Sequence, residues 1–267
     1  MIENNKCIPI SYQRKDGIYM ENIGLQLYSI KELTQEDFLG TLQKVASIGY
    51  DGVEFAGYFN TSAKELKKIM LDINLKPAGS HIGIDLLQNN LKKVIDYSLE
   101  IGDPYIICPG LPGFMTDSTD SYKKTAALFN HIGQECSNHG IQFGYHNHDS
   151  EFKTYEGIYG LDLLVTNTQS EFLKIELDTF WVEYCNLKSV DFINKYKERC
   201  FILHIKDMKS WEEKSNTEIG KGVMNFKDII ATGKKYGVAW YTVEQEEYEI
   251  PQLESIEISF HYLKSIL

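Results

Sequence analysis

The chain has 267 residues, 43% apolar and 12% aromatic, and its 27 basic residues are outweighed by 38 acidic ones, for a net charge of -11. That length suits one large domain, near the usual size of a barrel of alternating strands and helices. The acidic balance argues against nucleic acid, whose phosphates call for clustered Lys and Arg, and the absence of a run of ~18 apolar residues argues against a membrane span.

Residues 1–20 are polar and aperiodic and read as an N-terminal extension, with residues 21–267 as the folded domain. They lack the basic start and apolar core of an export signal, so a cytoplasmic location is expected. From Ile23 onward, short apolar runs of strand length alternate with longer amphipathic stretches. In chain order the pattern predicts a strand over 23–28, a helix over 38–48, a strand over 52–55, a helix over 63–72, a strand over 76–81, a helix over 86–101, a strand over 105–108 and a helix over 122–138. Further strands follow over 142–148, 173–178, 201–206 and 240–245. The segments SIGYDGVEF, SNHGIQFGY and KYGVAWYTVE place Gly where a helix hands over to the next strand, the residue best suited to a left-handed C-cap. Eight βα units with no linker point to the α/β class and a single-domain (β/α)8 TIM barrel. GLPG and GKG lack the spacing of a dinucleotide or P-loop phosphate cradle. Five cysteines without a CxxC pair suggest neither a disulfide framework nor a structural zinc site, and fit a reducing compartment.

In such a barrel the chemistry sits at the C-terminal strand ends. There the sequence places Glu54, His81, His146 with His148, Glu176 with Asp178, His204 with Lys206, and Glu244. Side chains alternate along a strand, so each pair shares one face and points into the barrel mouth. Any one of these residues is ordinarily just a hydrogen-bonded loop contact. Four consecutive strands each ending in a potential ligand favour a divalent cation, held by Asp178, His204, Glu244 and a histidine of strand five. The mixed nitrogen and oxygen set suits Mn, Zn, Co or Fe better than calcium. The letters HNH at 146–148 lack the basic surface a nuclease needs, and no GxSxG turn supports a serine nucleophile. Tyr28, Phe55, Tyr58, Phe180 and Trp181 are core residues by default, with those near strand ends, Tyr28 and Trp181 among them, able to wall a sugar pocket.

From about Ile23 to the end, the chain resembles the xylose isomerase-like TIM barrel superfamily, in its sugar phosphate isomerase/epimerase and inosose dehydratase branch. The resemblance rests on GYDGVEF, GYHNHDSEF, KIELDTFWV, LHIKDM, EIGKGVMNF and VEQEEYE. It implies one divalent ion (Mn, Zn, Co, Mg or Fe) held by one residue from each of strands five to eight, which maps onto Asp178, His204 and Glu244. Many relatives carry an E-x-H arrangement in strand five. Here His146 stands in place of that Glu and His148 in place of the substrate-contacting His, with a looped-back Glu151 as the other choice of ligand. Relatives that read DTFH in strand six have a histidine where this chain has Trp181.

The expected reaction is proton abstraction next to a carbonyl through a metal-stabilised enediolate, giving an isomerase or epimerase of a small sugar or keto-sugar. Glu244 or Glu176 would be the base, His148 and Lys206 proton carriers or enediolate stabilisers, and His81 and Glu54 hydroxyl contacts. A dehydratase of a keto-cyclitol is the alternative, with an abasic-site endonuclease and a non-catalytic sugar-binding barrel behind it. Few arginines favour a neutral sugar or cyclitol over a phosphate ester. The expected partner is thus a small molecule, with neither nucleic acid nor membrane, and homo-oligomer contacts are left to the exterior helices.

Overall fold

The computed structural model describes residues 22–267, so the expected extension over residues 1–20 lies outside the described residues. Eight strands form the barrel: β1 (Asn22–Gln26), β2 (Gly52–Phe55), β3 (Lys76–His81), β4 (Tyr105–Cys108), β5 (Gln142–His146), β6 (Lys174–Asp178), β7 (Cys200–Ile205) and β8 (Trp240–Val243). Each pairs in parallel with its neighbour in sequence, and β1 pairs with β8 to close the ring, with Ile23 opposite Tyr241 and Leu25 opposite Val243. Among the described residues no helix is long and apolar enough to cross a membrane.

Alternation along the strands divides their residues between two layers. Leu25, Val53, Phe55, Ile106, Phe143, Tyr145, Ile175, Leu177, Leu203, Ile205, Tyr241 and Val243 are buried in the main apolar core. A separate cluster of Ala78, Tyr105, Ile107, Ile202 and Trp240 plugs the barrel interior. Gly52 and Gly24 make room for the indole: a Cβ at Gly52 would lie 2.6 Å from the Trp240 ring, and one at Gly24 3.4 Å from it. The plug leaves the C-terminal end of the barrel to polar side chains.

The turns between units follow local chemistry. Gly49 (φ 115°) and Gly237 (φ 72°) end the helices Phe38–Ile48 and Phe226–Tyr236 in the left-handed region. The stretch predicted as one helix over 86–101 is instead two, Ile84–Asn89 and Leu91–Ile101. Asn90 breaks it: its backbone N–H closes the first helix on Leu86 O while its carbonyl accepts from Lys93 and Val94. Asparagine is a weak helix former that favours ends and turns. The helix predicted to start at 122 starts at Thr119, because the Ser118 hydroxyl caps it by accepting from Ser121 N.

Strands 1, 5, 7 and 8 end one or two residues before their predicted limits. After β1, the Gln26 side chain accepts from Tyr28 N and turns Leu27–Ile30 into a 3-10 turn. After β7, Asp207 and Met208 pair antiparallel with Asn216 and Thr217. The Asp207 carboxylate gathers the backbone N–H groups of Met208, Gly220, Gly222 and Met224 at 2.8 to 3.2 Å, fixing the EIGKGVMNF loop over this end of the barrel.

One irregularity bears directly on the site. Between β2 and β3 the register jumps, so that Glu54 pairs with Gly79 and Ala78 is passed over. Ala78 lies in the interior plug, and a Cβ at Gly79 would also point inward, 2.8 Å from Ile107 Cδ1 and 3.1 Å from Glu54 Oε1. Two consecutive residues on one face are the signature of a β-bulge. Alternation then resumes out of phase, with Ser80 hydrogen-bonded outward to Asp103 and His81 facing inward. Gly79 has φ 143°, which side-chain-bearing residues rarely adopt.

Candidate metal centre

Four consecutive strands deliver His146, Asp178, His204 and Glu244 to one place, and each offers a donor atom within 4.8 Å of the others. His146 ends β5, Asp178 ends β6, His204 is the fifth residue of β7, and Glu244 follows the last residue of β8. His204 Nδ1 lies 2.9 Å from Glu244 Oε2, and His146 Nε2 lies 3.9 Å from Asp178 Oδ2. Asp178 Oδ1 caps the following helix by accepting from Phe180 N and Trp181 N, whereas Oδ2 is buried with no hydrogen-bond partner. Burial pushes the Asp178 carboxyl up to about 7, with Lys206 opposing and Glu244 adding to the rise. Burial also drops the His146 imidazole to about 3, so the ring is neutral at neutral pH. An orphaned carboxylate oxygen among two imidazoles and a second carboxylate is the environment that a divalent cation satisfies. The donor set therefore fits such an ion.

Beneath these donors lies a second polar layer. Glu176 Oε2 stands 2.7 Å from His81 Nε2, 3.1 Å from His146 Nδ1 and 3.3 Å from His204 Nε2. Glu54 Oε2 stands 2.7 Å from His204 Nε2 and 3.3 Å from His81 Nε2, and accepts from Gln26 Nε2 at 2.6 Å. Burial would raise the Glu176 carboxyl, but His204 and His81 hold it well below the usual range. Burial and the neighbouring Glu176 push Glu54 up to about 8. Both carboxylates are fully buried, so neither of these predicted site residues opens to the cleft.

The cleft above is about 380 Å³ and is lined by Tyr28, Ala56, His81, Pro109, His146, His148, Glu244 and Glu246. Lys206 is buried beside it, paired with Glu246, and its ammonium lies 5.1 Å from the ring centres of both Phe180 and Trp181. Burial would lower this ammonium, but Glu244, Asp178 and Glu246 hold it above its usual range. Lys206 and His204 in turn keep Glu244 ionised against the effect of burial. Burial, reinforced by Lys206, depresses His148. Trp181 packs behind Lys206 and 5.7 Å from the His148 ring, outside the cleft lining itself. A larger depression of about 710 Å³ lies on the exterior between the helices that follow β6 and β7, remote from this chemistry.

Glu151, the looped-back choice of ligand, points away from the centre. Its carboxylate accepts from Tyr145 OH, His148 N and Ser150 Oγ, and Tyr145 belongs to the outward-facing core. It braces the turn that carries His148 instead. Two residues absent from the sequence-derived set complete the site. Glu246 stands on the face of Glu244 two residues on, and the VEQEEYE alternation contains that signal. Gln26, a polar residue inside an apolar strand, was the trace of a buried hydrogen-bond network.

The model of the xylose isomerase-like TIM barrel family matches residues 42–266. No curated protein matches the chain by sequence. Among solved structures, a sugar phosphate isomerase/epimerase from Parabacteroides distasonis ATCC 8503 is 27% identical with a TM-score of 0.81, over 97% of this chain and 98% of that one. An L-ribulose 3-epimerase is 14% identical, TM-score 0.71, over 93% and 95% of the two chains. The IOLI protein with a bound zinc atom is 13% identical, TM-score 0.74, over 92% and 97%. The last two likenesses speak to the fold alone.

Proposed function

Because the chain belongs to the xylose isomerase-like TIM barrel family, we propose that it is a divalent-metal-dependent isomerase or epimerase of a small sugar or keto-sugar, with residues 21–267 as the catalytic barrel and residues 1–20 as an extension. The observation that carries this reading is the buried, unpartnered Asp178 Oδ2, set among His146, His204 and Glu244 at the floor of an open cleft. His146, Asp178, His204 and Glu244 would hold the ion, from the set Mn, Zn, Co, Mg and Fe. Bound there, a divalent ion supplies Lewis acidity that polarises a substrate carbonyl and offsets negative charge developing on its oxygen.

The remaining chemistry belongs to the side chains. Glu244 lines the cleft as an ionised carboxylate and takes the proton from the carbon beside the carbonyl. Glu176, the other base considered, has no access to the cleft and acts from below. His148, three strands away, lines the cleft as a neutral imidazole and would relay a proton to the opposite face of the enediolate. Lys206 adds an ammonium beside the developing charge, and Trp181 backs it. His81 and Tyr28 contact hydroxyls from the cleft wall. Return of the proton to the other face yields the epimer, and return to the neighbouring carbon yields the aldose–ketose isomer.

The 27% identical neighbour is described as a sugar phosphate isomerase/epimerase, which supports the reaction class. The lining itself supports a neutral sugar or cyclitol rather than a phosphate ester, since it presents Glu244 and Glu246 and, among the described residues, no arginine. The Lys206–Glu246 pair at the rim could also protonate a departing β-hydroxyl, the feature that favours dehydration of a keto-cyclitol as the second reading. The test is metal analysis of the purified protein, followed by incubation with keto-sugars and keto-inositols in deuterated water. Exchange of a carbon-bound proton, lost on chelation and in His204→Ala, is expected, and product identity separates epimer, isomer and dehydrated ketone. Full turnover by metal-free protein would sink the mechanism.

A further inference from the structure

The two polar layers share two imidazoles, and each ring divides its nitrogens between them. His146 turns Nδ1 down to Glu176 Oε2 and Nε2 up toward Asp178 Oδ2. His204 turns Nε2 down to Glu54 Oε2 and Nδ1 up to Glu244 Oε2. Glu176 Oε2 faces three ring nitrogens and accepts from them, so His146 Nδ1 at 3.1 Å and His204 Nε2 at 3.3 Å each carry a hydrogen. An ion bound among the upper donors would take the lone pair of the opposite nitrogen, displacing the hydrogen that His204 Nδ1 shares with Glu244 in the metal-free protein. The lower oxygens have firm positions: Gln26 donates to Glu54 Oε2 and itself accepts from Tyr28 N, tying the layer to the β1 backbone. Gly79 leaves space against Glu54 Oε1 that any side chain would take.

We propose that Glu176 and Glu54 are positioning residues that set the tautomers of His146 and His204, so that His146 ligates through Nε2 and His204 through Nδ1. The inference rests on the reading of His146, Asp178, His204 and Glu244 as a metal centre. Histidine ligands of metals commonly donate their second N–H to a carboxylate, which orients the ring and raises its basicity. Here a single oxygen, Glu176 Oε2, faces three imidazoles, so one carboxylate orients both ligand histidines and the cleft-lining His81. His146 gains through Glu176 the electron density that a neutral ring lacks.

The experiment uses the full chain loaded with zinc and labelled with 15N in its histidines. Long-range proton–nitrogen correlations should show His146 with its hydrogen on Nδ1 and His204 with its hydrogen on Nε2. Glu176→Gln should weaken zinc binding by roughly 10–100-fold and shift the His146 Nδ1–H resonance. Glu54→Gln should do the same for the His204 Nε2–H resonance, which keeps the test open if either variant fails to fold. Unchanged zinc affinity in both folded variants, or ligation of His146 through Nδ1, would overturn the proposal. Zinc lost in Glu176→Gln but kept in Asp178→Asn would also overturn it, placing the ion among His81, His146, Glu176 and His204. A wild-type chain that binds neither zinc nor Mn, Co, Mg or Fe removes the functional reading and this inference together.

Discussion

Replacing Asp178 by Asn should strengthen the metal-free fold while removing the metal, and the two effects can be sized. Asp178 Oδ1 caps the helix after β6, a role an amide oxygen can keep, while Oδ2 is buried and unpartnered. Burial and Glu244 raise the folded-state carboxyl from 3.8 to about 7 against Lys206. A raised acid is held protonated by the fold, so its penalty is absent below pH 3.8, grows as pH rises, and is complete above about pH 7. Each tenfold change in proton affinity is worth about 1.4 kcal/mol, so the ionised carboxylate weakens the metal-free fold at pH 8 by at most roughly 4 kcal/mol. The new amide N–H group, imperfectly paired opposite His146 Nε2, gives back about 1–3 kcal/mol. A net gain of about 1–3 kcal/mol follows, which at about 2–4 °C per kcal/mol for a domain of this size raises Tm by several degrees. With zinc at a thousandfold excess over Kd the order reverses, because wild type gains about 4.1 kcal/mol from binding and the variant gains none. Melting curves at pH 8 in chelator and in zinc measure both arms. A variant that melts below wild type in chelator, or that zinc still stabilises, would refute the reasoning.

Gly79→Ala should lower stability by about 1–3 kcal/mol, because the residue sits at φ 143° and its Cβ would meet Ile107 Cδ1 at 2.8 Å and Glu54 Oε1 at 3.1 Å. As the bulge relaxes, His81 shifts and KM should rise more than kcat falls; an unchanged urea midpoint would count against the bulge as the device that aims His81. Asp103 offers a pH test away from the mouth. Its carboxylate accepts from Ser80 Oγ and Tyr105 N, and burial pushes it up to about 7. Wild-type stability should therefore fall as pH rises from 3.8 toward about 7 through this group, and Asp103→Asn should flatten that part of the Tm profile. A parallel decline in wild type and variant would show that Asp103 is not the source.

The barrel was legible from one sequence because its two periods are local. Alternation of buried positions along each strand, and glycines such as Gly49 and Gly237 at helix ends, are consequences of backbone geometry that neighbouring residues alone decide. The same alternation brought His146, Asp178, His204 and Glu244 to one mouth as soon as eight strands were closed in order. Asn90 shows where local signals compete, since apolar periodicity ran through a residue whose backbone ended one helix and began another.

What sequence spacing could not decide is depth. Glu54 and Glu176 occupy strand ends like the other site residues, yet they lie in a lower layer because three imidazoles and Gln26 meet them there. Glu151 was within reach of the centre along the chain, but Tyr145, an outward-facing core residue, draws it to the other side of the sheet. The inward turn of His81 depends on a register jump between β2 and β3 that no pattern within β3 announces. Depth, direction and register are settled by which distant groups share a hydrogen bond in a dry interior, and only the closed barrel brings those groups together.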